Sequence, residues 1–517
     1  MAELDLLYHS YHSLIIESDS DALSGTADLK EKVLLSSNYS SFSATTVTSP
    51  DITFNSTTGR ITFAADGTYL VIFNLVYVVS ATTFTTIRYR INDSEDVFYT
   101  AGIQNFATLD PYSTNTHTLL EVKAGDFLEI AVSTDGTETI TVKSGTALSL
   151  LKANGDYGNI RYTANASASP TSANNAIGDE DLGGTVVTKL KNVSFNSSTG
   201  QLTPSNSRPF LALETLVAEN ANNSTQMGLS IFANGSSIDN TSVLMRGSQD
   251  PSEDSFGLLK NLTGGQTVSG RFVSNGAAIT AKNGTSFTAF DVTNNDGNGT
   301  PSAFVSLSTN GDSDGISGNT ICFDENEYTS YSVVNHSSAT GITYTPDGGT
   351  FVVANAGKYF VLWHYVINQT ASGTQTYNPQ VKINNSTVHE YDISLNASFD
   401  PIETTLCAII DAAAGDSFTF VSRSAPAGNI ASGTTITMFK VDDLKDLLAE
   451  SVPTDPLIGN DFTINSFSAD GLSPQHNKVD VEQVPFILGV PGAISLRGRR
   501  FGTINEPPIV KPGDKKN

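Results

Sequence analysis

At 517 residues the chain is too long for one hydrophobic core, and about 100–200 residues per domain predicts three or four domains. Only 16% of the residues are charged, while Ser, Thr, Asn and Gly abound beside many Val, Ile, Phe and Tyr; this excludes a disordered chain and a helical bundle. A net charge of −25 repels phosphate, so neither nucleic acid nor an anionic membrane is expected as a partner.

The first residues, Met-Ala-Glu-Leu-Asp-Leu-Leu-Tyr-His-Ser, hold no basic stretch followed by an apolar core, so no secretory leader is expected. Glu3, Asp5, Glu17, Asp19 and Asp21 make this end acidic. His9 and His12 stand three apart without a third metal donor nearby and are read as incidental. No apolar stretch reaches the length that spans a bilayer; the longest, around Tyr69–Ser80, is strand-sized.

A repeat then governs the chain. Phe54-Asn-Ser-Thr-Thr-Gly59 leads through Asp66-Gly67-Thr-Tyr69 into the apolar run Leu70–Phe73. Phe195-Asn-Ser-Ser-Thr-Gly200 leads to Arg208-Pro209-Phe210, and Tyr344-Thr-Pro-Asp-Gly-Gly349 leads to Gly357-Lys-Tyr359. The aromatic-to-Gly step is 5 and the aromatic-to-aromatic step 15 in each copy. Asn92, Asn234 and Asn384 follow at 33, 34 and 35 residues from the reference glycine. Ala124-Gly125-Asp126, Gly264-Gly265-Gln266 and Ala414-Gly415-Asp416 then mark a second turn, and Ser144-Gly145, Asn283-Gly284 and Ser432-Gly433 a third. Glycine supplies positive φ at such turns, and Asn and Asp cap them. Between the turns, alternating runs such as Ile87-Arg88-Tyr89-Arg90-Ile91 predict half-buried strands. The fold class expected is all-β: three tandem jelly-roll sandwiches of one type plus an extended C-terminal arm. The predicted boundaries are an N-terminal segment 1–11, sandwiches at 12–154, 155–292 (the divergent copy) and 293–443, and an arm at 444–517.

Phe351 and, after five residues, Gly357-x-Tyr359-x-Val361-x-Trp363 resemble the signature of the complement component 1q and tumour necrosis factor superfamily. Ile61 and Gly67-x-Tyr69-x-Val71-x-Phe73 match it in the first copy. The second copy departs: Arg208 replaces the Gly, Pro209 follows, and Glu214 falls on the inward face. The resemblance spans about residues 12–443. It implies a ten-stranded jelly roll that packs in threes, and binding or scaffolding rather than catalysis. About six residues join the first copy, closing near Ala153, to the second, starting near Ile160. The resemblance implies that first and last strands pair and both ends of a sandwich sit at its base, and at about 3.3 Å each these residues are short for stacking one sandwich on another. Side-by-side threefold packing within the chain is therefore expected, with a homotrimer as the close alternative.

Cys322 and Cys407 sit in apolar strand patterns and are expected as buried thiols rather than a bridge. Asn310-Gly-Asp312-Ser-Asp314-Gly315 resembles the start of a calcium loop, but Ile321 occupies the place of the closing Glu, so an ordinary turn is favoured. Asp126 and Asp416 recur at one turn and read as turn formers rather than an acid/base pair. No catalytic motif or cofactor-binding pattern is found, so an enzyme is not expected and no cofactor is implied.

The arm is apolar from Val484 to Leu496 and then basic, with Arg497, Arg499 and Arg500 as candidate docking residues; folding back onto the chain's own acidic surface is the plainer alternative. Two roles follow as expectations. One is a structural protein of the virion surface, a capsid decoration or head-fibre protein of a tailed phage, with other capsid or tail proteins as partners. The other is a tail fibre or extracellular adhesin that binds a cell-surface glycan or receptor through the loops at Tyr99–Tyr112 and Asp392–Ile402.

Overall fold

The computed structural model describes residues 10–24, 31–93, 96–100, 102–105, 111–168, 175–220, 225–245, 251–274, 278–293, 303–313, 316–327, 332–336, 340–369, 373–396 and 402–441. Among these residues there is no α-helix, and nearly every regular segment is an antiparallel strand, as the alternating runs predict. They belong to one compact unit. The arm from 444 and the first residues, with Arg497, Arg499, Arg500 and His9, lie outside the described residues, as does Asp314.

The strands fall into three successive blocks. In the first, one sheet runs Leu23–Ser24, Thr139–Val142, Gly67–Val79, Ala147–Lys152, Tyr11–Ile16, Ala44–Thr48, with Tyr112–Val122 alongside Gly67–Val79. Its partner runs Ile103–Asn105, Thr83–Ile91, Phe127–Thr134, Arg60–Phe63, Ile52–Asn55. The second block repeats the order: Ala166–Ala168, Ile279–Ala281, Arg208–Asn220, Ser286–Asp291, Tyr157–Tyr162, Val186–Lys191, with Ser252–Leu262 alongside Arg208–Asn220. In the third block both sheets merge into one network of 12 strands. The cause is local: Ser417–Ile430 runs on without the break that separates Phe127–Thr134 from Thr139–Val142, and so pairs with strands of both layers.

The repeated turns do the same work each time. Asn92, Asn234 and Asn384 have φ of 55°, 49° and 49°, and Gly59, Gly200 and Gly349 lie between 54° and 65°, the left-handed region in which Asn and Gly cost least. Asp126 accepts from Lys123 N and Asp416 from Ala413 N, both at 2.7 Å, and Gln266 substitutes by accepting from Thr263 N at 2.8 Å. Asp126 and Asp416 each also accept from the side-chain amide of their hairpin asparagine. They are turn formers.

Each block has an apolar core between its layers. Tyr69, Phe73, Tyr89 and Leu148 are fully buried in the first, Phe210, Phe272 and Phe287 in the second, and Tyr359, Trp363 and Phe420 in the third. A fourth cluster draws on all three blocks at matching positions. Leu70, Leu211 and Phe360 are each third after the residue that opens their strand, and Ile72, Leu213 and Leu362 fifth. Leu119, Leu259 and Ile409 are each three before the end of their own strand, and Leu151, Phe290 and Phe439 complete the set. At about 1.5–3 kcal/mol for each fully buried large apolar side chain, this cluster holds the blocks together as a core does.

Candidate functional site

Among the described residues the strands Tyr112–Val122, Ser252–Leu262 and Ile402–Ala412 each pair with one strand only, which leaves their other edge turned to the next block. Backbone donors on that edge need partners. Ser306 Oγ of the third block accepts from Leu259 N at 3.0 Å, and Ser13 Oγ of the first accepts from Ile409 N at 2.9 Å. Asn159 holds the corresponding place in the second block, in register with Thr288 as Ser13 is with Ser149 and Ser306 with Thr437. Its amide donates instead to Thr288 Oγ1 at 2.8 Å.

Past the shared apolar cluster the same three edges become polar. Ser113, Glu253 and Glu403 occupy matching positions, each nine residues before its strand ends. Glu253 Oε2 accepts from Asn115 N at 3.1 Å, and Glu403 Oε1 accepts from Ser255 N at 2.7 Å, so each carboxyl is held by a neighbouring block. Glu403 Oε2 lies 3.0 Å from His364 Nε2, whose Nδ1 is 3.2 Å from Thr405 Oγ1. His117 lies between Thr215 Oγ1 and Ser286 Oγ of the second block at 2.8 and 3.2 Å. Burial pushes Glu253 up to about 8, and holds both His117 and His364 down to about 3, so these imidazoles are neutral.

The second block carries a buried acid pair. Glu214 and Asp254 are fully buried, and among the described residues their four carboxyl oxygens find no well-formed hydrogen bond. Burial raises both well above the carboxylate range; the Asp254 charge adds to the effect on Glu214, and Glu253 to that on Asp254. Glu214 stands where the other blocks have Phe73 and Trp363, Gly270 where they have Ile130 and Phe420, and Phe287 where they have Leu148 and Ile436. A Cβ on Gly270 would lie 2.5 Å from the Phe287 ring and 3.0 Å from the Glu214 carboxyl carbon. The larger Phe287 thus takes the space that the shorter pair releases. The inward placement of Glu214 follows from the sequence register; the unpartnered Asp254 does not, because it stands where the other blocks have Thr114 and Thr404.

The remaining sequence-predicted residues have structural uses. Asp312 accepts from Ser432 N at 3.0 Å and from Asn368 Nδ2 at 3.1 Å, and Asn310 is exposed. Among the described residues no group of His, Cys, Asp and Glu is arranged to hold a metal ion. His12 is fully buried with neither ring nitrogen hydrogen-bonded. Cys322 and Cys407 are free, buried thiols. The described parts of the two candidate recognition loops are engaged between blocks: Gln104 N donates to Pro251 O at 2.8 Å, and Ser394 N to Pro111 O at 3.0 Å. Tyr99 remains exposed.

Sequence reasoning missed the seam residues. Arg161 Nη1 donates to Val97 O at 3.3 Å with its guanidinium 5.1 Å from the centre of the Phe98 ring, and Lys189 lies 3.7 Å from Glu121. Of these, Val97, Glu121, Arg161 and Lys189 line a cleft between the first two blocks. No local signal marks them, because the partners are far apart in the chain.

No protein-family model matches the sequence, and no curated protein matches it. Among solved structures, an Eiger tumour necrosis factor from S. frugiperda is similar at 18% identity, covering 28% of this chain and 92% of its own, with a TM-score of 0.21. Pika GITRL is similar at 14% identity, covering 27% of this chain and 96% of its own, with a TM-score of 0.18. A β-porphyranase of glycoside hydrolase family 86 from Bacteroides plebeius is similar at 14% identity over 51% of this chain and 39% of its own, with a TM-score of 0.16.

Proposed function

We propose that the chain is a non-enzymatic structural protein of the virion surface, a capsid decoration or head-fibre protein of a tailed phage. In this reading residues 12–154, 155–292 and 293–443 are three jelly rolls packed side by side as a trimer made by one chain. The apolar cluster shared by Leu70, Leu211, Phe360 and their companions carries the reading, since matching positions of three blocks meet in one place. Repeated seam contacts support it: Ser306 takes the Leu259 N–H as Ser13 takes that of Ile409. The residues that recur are turn formers and core formers, which suits a scaffold. The arm 444–517, with Arg497, Arg499 and Arg500, would dock onto another virion protein, where its basic end finds an acidic surface.

Two measurements test this. The purified full chain should sediment as a single chain; a stable homotrimer would overturn the one-chain trimer. The full chain should bind empty capsids and lose binding when residues 444–517 are removed. Binding of cells or glycans with the arm removed, and no capsid binding with it present, would favour the adhesin instead.

A further inference from the structure

The three seams place different chemistry at one set of positions. Arg161, Ile15 and Ser308 correspond, each two residues after Asn159, Ser13 and Ser306. Lys189, Val47 and His336 correspond as the residues beside those three on the adjoining strand: Lys189 pairs with Asn159, Val47 with Ser13, and His336 follows Asn335, the partner of Leu307. In the seam between third and first blocks these places are apolar: Ile15 is buried in a cluster with Tyr391, and Val47 packs on the shared core. In the seam between second and third blocks the corresponding histidine has an acid beside it, His336 Nε2 lying 3.1 Å from Asp239 Oδ2 and 2.7 Å from Ser308 Oγ. In the seam between first and second blocks both places are basic, Arg161 and Lys189; they line one cleft with Val97, and Arg161 also stands over the Phe98 ring. Among the described residues Arg161 meets no carboxylate. Glu121, 67% exposed, pairs only with Lys189 across 3.7 Å at the rim.

Among the described residues that line it, this seam therefore holds one more positive charge than it neutralises, inside a cleft of about 80 Å³. Its walls are aliphatic: Ile91, Val97 and Val187, with Leu119 behind them. A partly buried guanidinium without a carboxylate is costly, and it presents a planar fork of donors that fits one. Burial accordingly lowers the Arg161 and Lys189 pKa values. A space of this order holds a few waters, and an acid of about four carbons matches it.

We propose that this cleft binds a small aliphatic carboxylate, its charged end held by Arg161 and Lys189 and its hydrocarbon end against Ile91, Val97 and Val187. The inference rests on the seam alone and is independent of any virion role.

Isobutyrate titrated into the full chain, followed by calorimetry at low salt, tests it. Isobutyrate should bind roughly tenfold tighter than neutral isobutyramide, because only the acid offers a charge-assisted fork. Lys189→Gln should weaken isobutyrate about fivefold, Arg161→Gln by at least as much, and Glu121→Gln should strengthen it by removing a competing carboxylate. Lys189 and Glu121 lie nearer the rim, so their variants decide the matter if Arg161→Gln loosens the seam. No binding of isobutyrate, equal binding of isobutyramide, or affinity unmoved in Lys189→Gln and Glu121→Gln would each overturn the proposal. So would inorganic sulfate binding as tightly as isobutyrate, since the aliphatic wall would then contribute nothing.

Discussion

Ser306 Oγ accepts a hydrogen bond from the backbone N–H of Leu259 at 3.0 Å, across the seam from one block of strands to the next. Ser13 does the same for Ile409 at 2.9 Å. Both serines are buried, so removing either hydroxyl leaves a buried donor unmet. Ser306→Ala and Ser13→Ala should each lower stability by about 1–3 kcal/mol, measured by denaturant unfolding. An effect near zero in both would mean that these contacts do not hold the seams.

Stability should peak between the carboxylate and imidazole ranges. Glu253 is shifted up in the folded chain to about 8 and Glu214 and Asp254 well above their ordinary values, so the folded state favours their protonated forms. Their contribution is full below the ordinary carboxylate range and is lost as pH rises toward 8 and beyond. His12 and His389, held down to about 4, and His117 and His364, held down to about 3, behave oppositely: their contribution is full above the ordinary imidazole value and is lost as pH falls through 4. The Tm followed by scanning calorimetry should therefore fall on both sides of mildly acidic pH. Glu253→Gln should flatten the alkaline side, and an unchanged alkaline slope would show that Glu253 ionises freely in the fold.

The acid pair in the second block should be replaceable at a gain. Glu214→Gln with Asp254→Asn keeps the shape and removes the ionisation, so the double variant should be less sensitive to alkali than the parent. Glu214→Leu with Asp254→Val should raise stability outright at pH 8, because apolar groups replace two buried acids that lack good partners. A lower Tm than the parent at that pH would show that the pair is well satisfied.

The thiols should report global opening. Burial pushes Cys407 up to about 12 and Cys322 well above its usual value, so neither is a ready nucleophile. Both should resist a disulfide reagent in the native chain and react together once denaturant unfolds it. Rapid labelling of Cys407 under native conditions would mean that the shared cluster opens by itself.

The repeat was readable in the sequence because turns are local. A hairpin needs Asn or Gly where φ is positive, and that demand recurs at Asn92, Asn234 and Asn384 whatever surrounds it. Core aromatics were readable for a related reason, since Tyr69, Phe210 and Tyr359 keep a fixed distance from their turns and all are fully buried. The seams were not. Ser13 and Ile409 lie 396 residues apart, and a serine in a strand carries no mark of the neighbour it will serve. Compensation at Glu214, Gly270 and Phe287 was equally hidden: each substitution is unremarkable alone, and only the shared space makes them one change. The merging of the third block's layers likewise depends on a strand, Ser417–Ile430, that runs on through Pro426, Gly428 and Asn429, residue types that in the sequence announce a break instead.

Because Arg161 over Phe98, His336 beside Asp239 and Ile15 near Tyr391 all sit on one polypeptide, each junction is free to change without the other two. Three identical chains have no such freedom, since every mutation there is written three times at once. The three junctions therefore differ: one carries Arg161 and Lys189, one sets His336 beside Asp239, and one is greasy. A partner docking across them would meet a single orientation instead of three equivalent ones.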